Sequence, residues 1–278
     1  SARVSAVEAV PGETQSPPTD RLSPNETFIL QFNDPQYNPG GPSSSANCGP
    51  ASVTMALANT SLLPDQLDYT DGGSSPQAAI DAVRVAGTGS NDPHAFTSIG
   101  QMERAARAYG AETQSIRTME DIDAALMRGD QVVLAGNPNH PGAYGVGNGI
   151  NYSGGHFINV TAMDTSYQPP RYVIQDPLSR RGSLVVTQEQ LQAYMDAPNA
   201  TGVEGFSVGN PNQDATARIV NSSQLGQPGP RTAATGSYPP ATGGSVPASG
   251  AMIQPAQALP VEAGALLGAA GLGQVGEL

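Results

Sequence analysis

Apolar residues recur at helical spacing in the first half of the chain, where each predicted helix has start and stop signals. A helix is expected from Cys48, because Pro50 lies in its first turn, where a missing N–H costs nothing. Two later starts carry capping-box spacings, which favour helix initiation. The predicted starts are Cys48, Pro76, Ser98 and Thr118. The first helix is expected to end at Ala58, the second before Gly87, the third at Gly110 and the fourth at Gly129.

Short β-branched runs follow, separated by Gly, Pro or Asp. A short helix ending near Met195 is expected among them, because Thr187 and Gln190 have capping-box spacing. Helices first and strands afterwards predict an α+β fold with a mostly antiparallel sheet. The predicted strands are Gln131 to Ala135, His156 to Met163, Tyr172 to Gln175, Ser183 to Val186 and Gly205 to Val208.

Composition changes along the chain predict one domain between two low-complexity segments. Residues 1–25 lack apolar periodicity and are expected to be a flexible N-terminal segment. Residues 26–208 hold the predicted helices and strands. Residues 209–278 form a predicted Pro/Gly/Ala-rich tail, whose last stretch regains Leu, Val and Ala and is a candidate for docking a delivery or carrier protein.

The net charge of −12 argues against nucleic acid and anionic membranes as partners, since both need a basic surface. One cysteine and three histidines predict neither a disulfide nor a zinc site, and no metal or cofactor is expected. The sequence has no run of about eighteen apolar residues and no signal-peptide pattern at its start. We therefore expect synthesis in the cytoplasm, with any export by a non-Sec route.

All twelve basic residues are arginines. A codon bias explains this without any function, because Arg and Lys differ little in helix propensity. The alternative hypothesis is a toxin-like effector that acts inside a foreign cell, where a chain without lysine escapes lysine-directed modification.

Cys48 is the candidate nucleophile. A helix N-terminus lowers the pKa of a thiol, because the exposed N–H groups and the helix dipole favour the thiolate. Gly49 is expected to leave room for a substrate backbone, and Pro50 starts the helix at once. The alternative for a lone cysteine is a buried small hydrophobe, but the neighbours Asn, Gly and Pro argue against it.

His156 is the candidate base, because it opens a predicted strand, whereas His94 and His140 lie in turn sequences. Gly154 and Gly155 are expected to let a substrate strand pass close to the imidazole. Asp176 ends the next strand, and an antiparallel return would bring it to the same end of the sheet as His156, where it could orient the ring. A turn-forming Asp-Pro is the alternative for Asp176.

Three motifs together resemble the bacteriocin-processing, double-glycine peptidases: Asn-Cys48-Gly-Pro-Ala-Ser, Gly-Gly-His156-Phe-Ile-Asn-Val and Ile-Gln-Asp176-Pro. The resemblance covers about Phe28 to Met195 and implies a papain-like fold, with a helical part that carries Cys and a sheet that carries His and Asp. It also implies an upstream glutamine as oxyanion-hole donor, beside the cysteine's own N–H. Gln36 matches that place, and Gln31 is the second choice.

The predicted function is a cysteine peptidase that cuts a protein or peptide through a Cys-His-Asp triad and a thioester intermediate. The resemblance implies a preference for small residues or Gly-Gly at the cut. The sequence departs from the family's exporters because no transporter follows the predicted domain, so a stand-alone relative is expected. The same triad also serves cell-wall amidases and transglutaminase-like acyltransferases, so that alternative stays open. A third alternative is an inactive papain-like binding module.

Overall fold

A computed structural model describes residues 22–31, 46–152, 154–196 and 202–225. Six antiparallel strands form one sheet in the order β1-β6-β2-β3-β4-β5. The α+β class with an antiparallel sheet is therefore confirmed. The strands are β1 (Ser115–Ile116), β2 (Gln131–Gly136), β3 (His156–Asp164), β4 (Arg171–Gln175), β5 (Leu184–Thr187) and β6 (Gly205–Val208). The helices are α1 (Cys48–Asn59), α2 (Pro76–Thr88), α3 (Ile99–Ala108), α4 (Met119–Arg128) and α5 (Gln188–Met195).

Helices cover both faces of the sheet, because its central strands are apolar on both sides. Val132 and Leu134 of β2 belong to one buried cluster, together with residues of α4 and α5. Val133 and Ala135 belong to a second cluster, together with residues of α1, α2 and α3. Successive side chains of a strand point to opposite faces, so this alternation produces a three-layer arrangement.

The predicted helix starts are confirmed. Ser98, Thr118 and Thr187 each accept a hydrogen bond from the backbone three residues on, and each forms a complete capping box. The predicted end of α2 at Gly87 is wrong, because α2 continues to Thr88 and ends at Gly89 in the left-handed region, at φ 78°. A Cβ on Gly87 would lie 2.6 Å from the carbonyl oxygen of Gln101, so this glycine permits close packing against α3.

The packed chain extends beyond both predicted domain boundaries. The carbonyl of Pro24 accepts a hydrogen bond from the Ser183 hydroxyl at 3.0 Å. Beyond residue 208, the Arg218 N–H donates to the Leu126 carbonyl at 2.8 Å. The two-residue strand β1 was not predicted from the sequence, because two residues carry no readable alternation. Residues 1–21 and 226–278 lie outside the described residues, so their predicted properties stay predictions.

A buried polar network joins the last residue of α1 to the sheet. The Gln175 side-chain oxygen accepts hydrogen bonds from the amides of Asn59 at 2.9 Å and Asn159 at 2.7 Å. The Gln175 amide in turn donates to the Thr27 hydroxyl at 2.8 Å. The network therefore ties three parts of the chain together next to Asp176, the residue that follows β4.

Among the described residues, no helix combines the length and apolar character that a bilayer crossing requires.

Candidate active site

Cys48 is the first residue of α1 and the only one of that helix that is not buried. The preceding residue, Asn47, makes no side-chain capping bond to the helix. The first N–H groups of α1 are thus not used by a capping side chain of Asn47. They point out of the helix at the end where the Cys48 thiol lies, which favours negative charge there.

His156 opens β3 with its side chain 1% exposed, and its backbone is in register with Gly136 of β2. Its Nε2 lies 2.7 Å from Oδ1 of Asp176, and Cys48 interacts electrostatically with the same imidazole. Because Nε2 is engaged by the carboxylate, Nδ1 is the nitrogen left for the sulfur. The Tyr194 hydroxyl donates to the His156 carbonyl and fixes the backbone of this residue.

Asp176 is fully buried directly after β4, and donors surround its carboxylate. Oδ1 lies within hydrogen-bonding distance of His156 and also accepts the Leu178 N–H at 2.8 Å. Oδ2 accepts the Tyr144 hydroxyl at 2.7 Å. A buried carboxylate with several donors is held in one orientation, which in turn orients the imidazole. Strands β3 and β4 pair antiparallel, with Asn159 opposite Gln175. This pairing brings His156, at the start of β3, and Asp176, directly after β4, to the same end of the sheet.

Burial raises the pKa of the Cys48 thiol, but the hydrogen bond and positive charge of His156 act the other way, together with the backbone N–H groups of Phe157 and Gly49. The net pKa of Cys48 is lowered. Burial lowers the pKa of His156, but the charge and hydrogen bond of Asp176, followed by Cys48, raise it to about 10. Both shifts favour a thiolate facing an imidazolium over a neutral pair.

The three predicted catalytic residues are thus brought together from three elements, and their catalytic roles stay predictions. Gln36 lies outside the described residues. Gln31 is buried, and its backbone N–H donates to the Pro177 carbonyl at 3.1 Å, one residue after Asp176. An oxyanion role for either glutamine stays a prediction.

The glycines predicted to line the substrate path have different surroundings. Gly49 is buried, and a Cβ there would lie 2.4 Å from the Thr97 hydroxyl and 3.0 Å from the Met102 sulfur. Packing against these two side chains therefore favours glycine at this position, because any larger residue would displace them. Gly154 and Gly155 are half-buried directly before β3. A substrate-binding role for all three stays a prediction.

The other two histidines lie apart from the triad in the described contacts. His94 is exposed in a turn, where its backbone N–H donates to Asp92. His140 is half-buried in another turn, where its backbone N–H donates to the Asn137 carbonyl. Turn composition distinguished these residues from His156 already in the sequence.

Four residues near the site were missed by sequence reasoning: Arg84, Tyr144, Tyr152 and Tyr194. The Tyr152 ring lies 5.9 Å from that of His156 between centroids and is half-buried. Burial raises the pKa of Tyr144, and so does the charge of Asp176, which keeps the phenol protonated as a donor. No local motif marks Arg84, Tyr144 and Tyr194, because their partners are distant in sequence.

No family model matches the chain, and no curated protein matches it. The chemistry therefore has to be inferred from the site's own geometry. A polarised thiol, an imidazolium and an orienting carboxylate are the groups needed for acyl transfer through a thioester. Among the described residues, no cluster of three or more His, Cys, Asp or Glu side chains could hold a metal ion.

Proposed function

We propose that this chain is a cysteine peptidase of papain-like fold, with Cys48 as nucleophile, His156 as acid and base, and Asp176 as the group that orients His156. The observation that carries the proposal is the His156 imidazole, which is paired with a fully buried carboxylate and interacts electrostatically with the thiol at the start of α1. Burying a carboxylate costs several kcal/mol unless it is paired. A site that holds this pair beside a half-exposed thiol at a helix start is suited to nucleophilic catalysis.

The chemical steps follow from the positions of the protons. The Cys48 thiolate attacks the carbonyl carbon of the scissile bond, and His156 donates its Nδ1 proton to the departing amine as the C–N bond breaks. Water then attacks the resulting thioester, gives a proton to His156, and releases the acid and the thiolate. Asp176 remains ionised throughout and stabilises the imidazolium.

The papain-like assignment is supported by the order and packing of the elements. The helix that carries the thiol comes first and packs against β3 and β2, and the strands that carry His156 and Asp176 follow. We propose a protein or peptide substrate with small residues, such as Gly-Gly, at the cut, because two glycines directly precede the base. Delivery as an effector and docking by the tail remain predictions.

The test is intact-mass spectrometry after treatment with an epoxysuccinyl inactivator. We expect a single adduct on the wild type, none on Cys48→Ala, and a strongly slowed reaction on His156→Ala. His94→Ala is the matched control, because it removes an exposed histidine from a turn and should react like the wild type. Equal reaction rates for wild type and His156→Ala would refute an activated thiolate and favour an inactive binding module.

A second measurement identifies the acyl donor. Cleavage of a peptide library, with new amino termini found after small residues, is the expected result for a peptidase. Lysis of purified peptidoglycan, or transfer of an acyl group to an added amine without such termini, would instead identify an amidase or an acyltransferase.

A further inference from the structure

Arg84 of α2 is a buried side chain, 1% exposed, at the start of α1. Its Nε and Nη2 donate to Oδ1 of Asn47 at 3.1 and 2.7 Å. Nη2 also donates to the Ala46 carbonyl at 2.8 Å, and Nη1 donates to the Ala95 carbonyl at 2.8 Å. The planar guanidinium therefore fixes the two residues that directly precede Cys48.

The guanidinium is charged, yet every acceptor in these bonds is a neutral oxygen. No ion pair among the described residues includes Arg84. A buried charge without a nearby opposite charge is unfavourable. Burial lowers the pKa of Arg84, and the negative charges that oppose this shift are those of Cys48 first, then Asp92 and Asp81.

The two carboxylates are poorly placed to neutralise Arg84. Asp92 is exposed to solvent, and Asp81 is half-exposed and accepts a hydrogen bond from the Gln77 amide at 2.7 Å. Solvent screens charges in such positions. On the buried side, the group that can supply negative charge is therefore the Cys48 thiolate.

The charged and titratable groups that act on Cys48 come from several elements. His156 of β3 acts on the thiol electrostatically, and its effect is larger than that of any backbone N–H. Tyr152 and Tyr194 also interact electrostatically with Cys48, but both are neutral phenols with raised pKa values because of burial. Arg84, which is bonded to the two residues that precede Cys48, interacts with the thiol electrostatically as a second cation.

We propose that Arg84 is a positioning residue of the site, which fixes the Asn47-Cys48 backbone and supplies a second buried positive charge that favours the Cys48 thiolate. The inference deepens the proposed function and rests on it. A merely structural role, in which Arg84 only joins α2 to the preceding loop, predicts a loss of stability without any change in thiol ionisation.

The test is the rate of Cys48 alkylation by iodoacetamide as a function of pH in the full-length protein. Arg84→Gln removes the charge, and we expect the midpoint of the pH profile to rise by about one unit, a roughly tenfold slower reaction below the midpoint. Arg84→Lys retains the charge without the planar fork, and we expect its midpoint within about half a unit of wild type.

Arg218→Gln is the matched control. Arg218 is also buried and donates to the carbonyls of Gly129 at 2.9 Å and Asn59 at 2.6 Å. Asn59 is the opposite end of α1, about 17 Å from Cys48 at the usual helical rise. We expect this variant to lose thermal stability as Arg84→Gln does, while its alkylation midpoint stays unchanged.

Two outcomes overturn the inference: a midpoint in folded Arg84→Gln equal to wild type, or a midpoint in Arg84→Lys as high as that of His156→Ala. If Arg84→Gln does not fold, Arg84→Lys still tests the inference, because a midpoint as high as that of His156→Ala would overturn it. The proposed function fails separately, when wild-type Cys48 reacts no faster than an ordinary thiol at neutral pH.

Discussion

Replacing Tyr144 by Phe removes one hydroxyl and leaves the ring in place. In the described part of the chain, that hydroxyl is the donor to Oδ2 of Asp176, at 2.7 Å. Tyr144 is 1% exposed and Asp176 is fully buried. A hydrogen bond to a charged group contributes about 1.5 to 3 kcal/mol, so we expect the free energy of unfolding to fall by about 2 kcal/mol.

The assay is urea unfolding followed by circular dichroism at neutral pH, together with a thermal scan. At about 2 to 4 °C per kcal/mol for a domain of this size, the melting temperature should fall by about 4 to 8 °C. Tyr194→Phe is the matched control, because its ring lies 5.7 Å from that of Tyr144 between centroids. The Tyr194 hydroxyl donates to backbone carbonyls of His156 and Leu134, which are neutral, so its loss should cost only about 1 kcal/mol.

The reasoning is refuted if the two variants lose equal stability, or if Tyr144→Phe loses less than about 0.5 kcal/mol. Either result would mean that Oδ2 of Asp176 reaches another donor with little cost. Alkylation of Cys48 should also slow in Tyr144→Phe, because a less constrained carboxylate holds the His156 ring less firmly.

Three further predictions concern residues of the triad or residues next to it in the sequence. The pKa of His156 is raised from 6.5 to about 10, so its ion pair stabilises the fold fully below pH 6.5, and this stabilisation is lost as pH rises through about 10. The measurement is the free energy of unfolding of wild type and of His156→Ala across this pH range, and the difference between them should shrink as pH rises. Gln175→Ala removes a hydrogen-bond partner of the buried side chains of Thr27, Asn59 and Asn159. Urea unfolding should show that the free energy of unfolding falls by about 3 kcal/mol. Gly49→Ala should lower the melting temperature through contact with Thr97, and adding Thr97→Ala should restore part of it, whereas unchanged melting would contradict the packing.

The sequence predicted most of the elements, because their signals are local. Thr118 and Asp121 form a capping box three residues apart, and Gly129 ends α4 in the left-handed region, at φ 91°. The pairing of His156 with Asp176 could also be anticipated, since one strand and a turn separate them and an antiparallel return aligns their ends.

The surroundings of the triad could not be predicted in this way. Tyr144 is 32 residues from Asp176, and Arg84 is 37 residues from Asn47. Such contacts depend on how helices pack against the sheet, and neither side chain differs locally from other tyrosines or arginines. At Gly87 a long-range requirement was mistaken for a local one. The glycine was interpreted as a helix stop, whereas the helix continues and the glycine is needed for close packing against α3.

The wide separation of the triad along the chain has a consequence for biosynthesis. Cys48 leaves the ribosome 108 residues before His156 and 128 before Asp176. Until β3 and β4 pair and α1 docks on them, the cysteine has an ordinary thiol, since its pKa is lowered chiefly by His156. The thiol of a nascent or partly folded chain is therefore no more reactive than that of an ordinary cysteine. The rate of thiol alkylation consequently reports when folding of the site is complete.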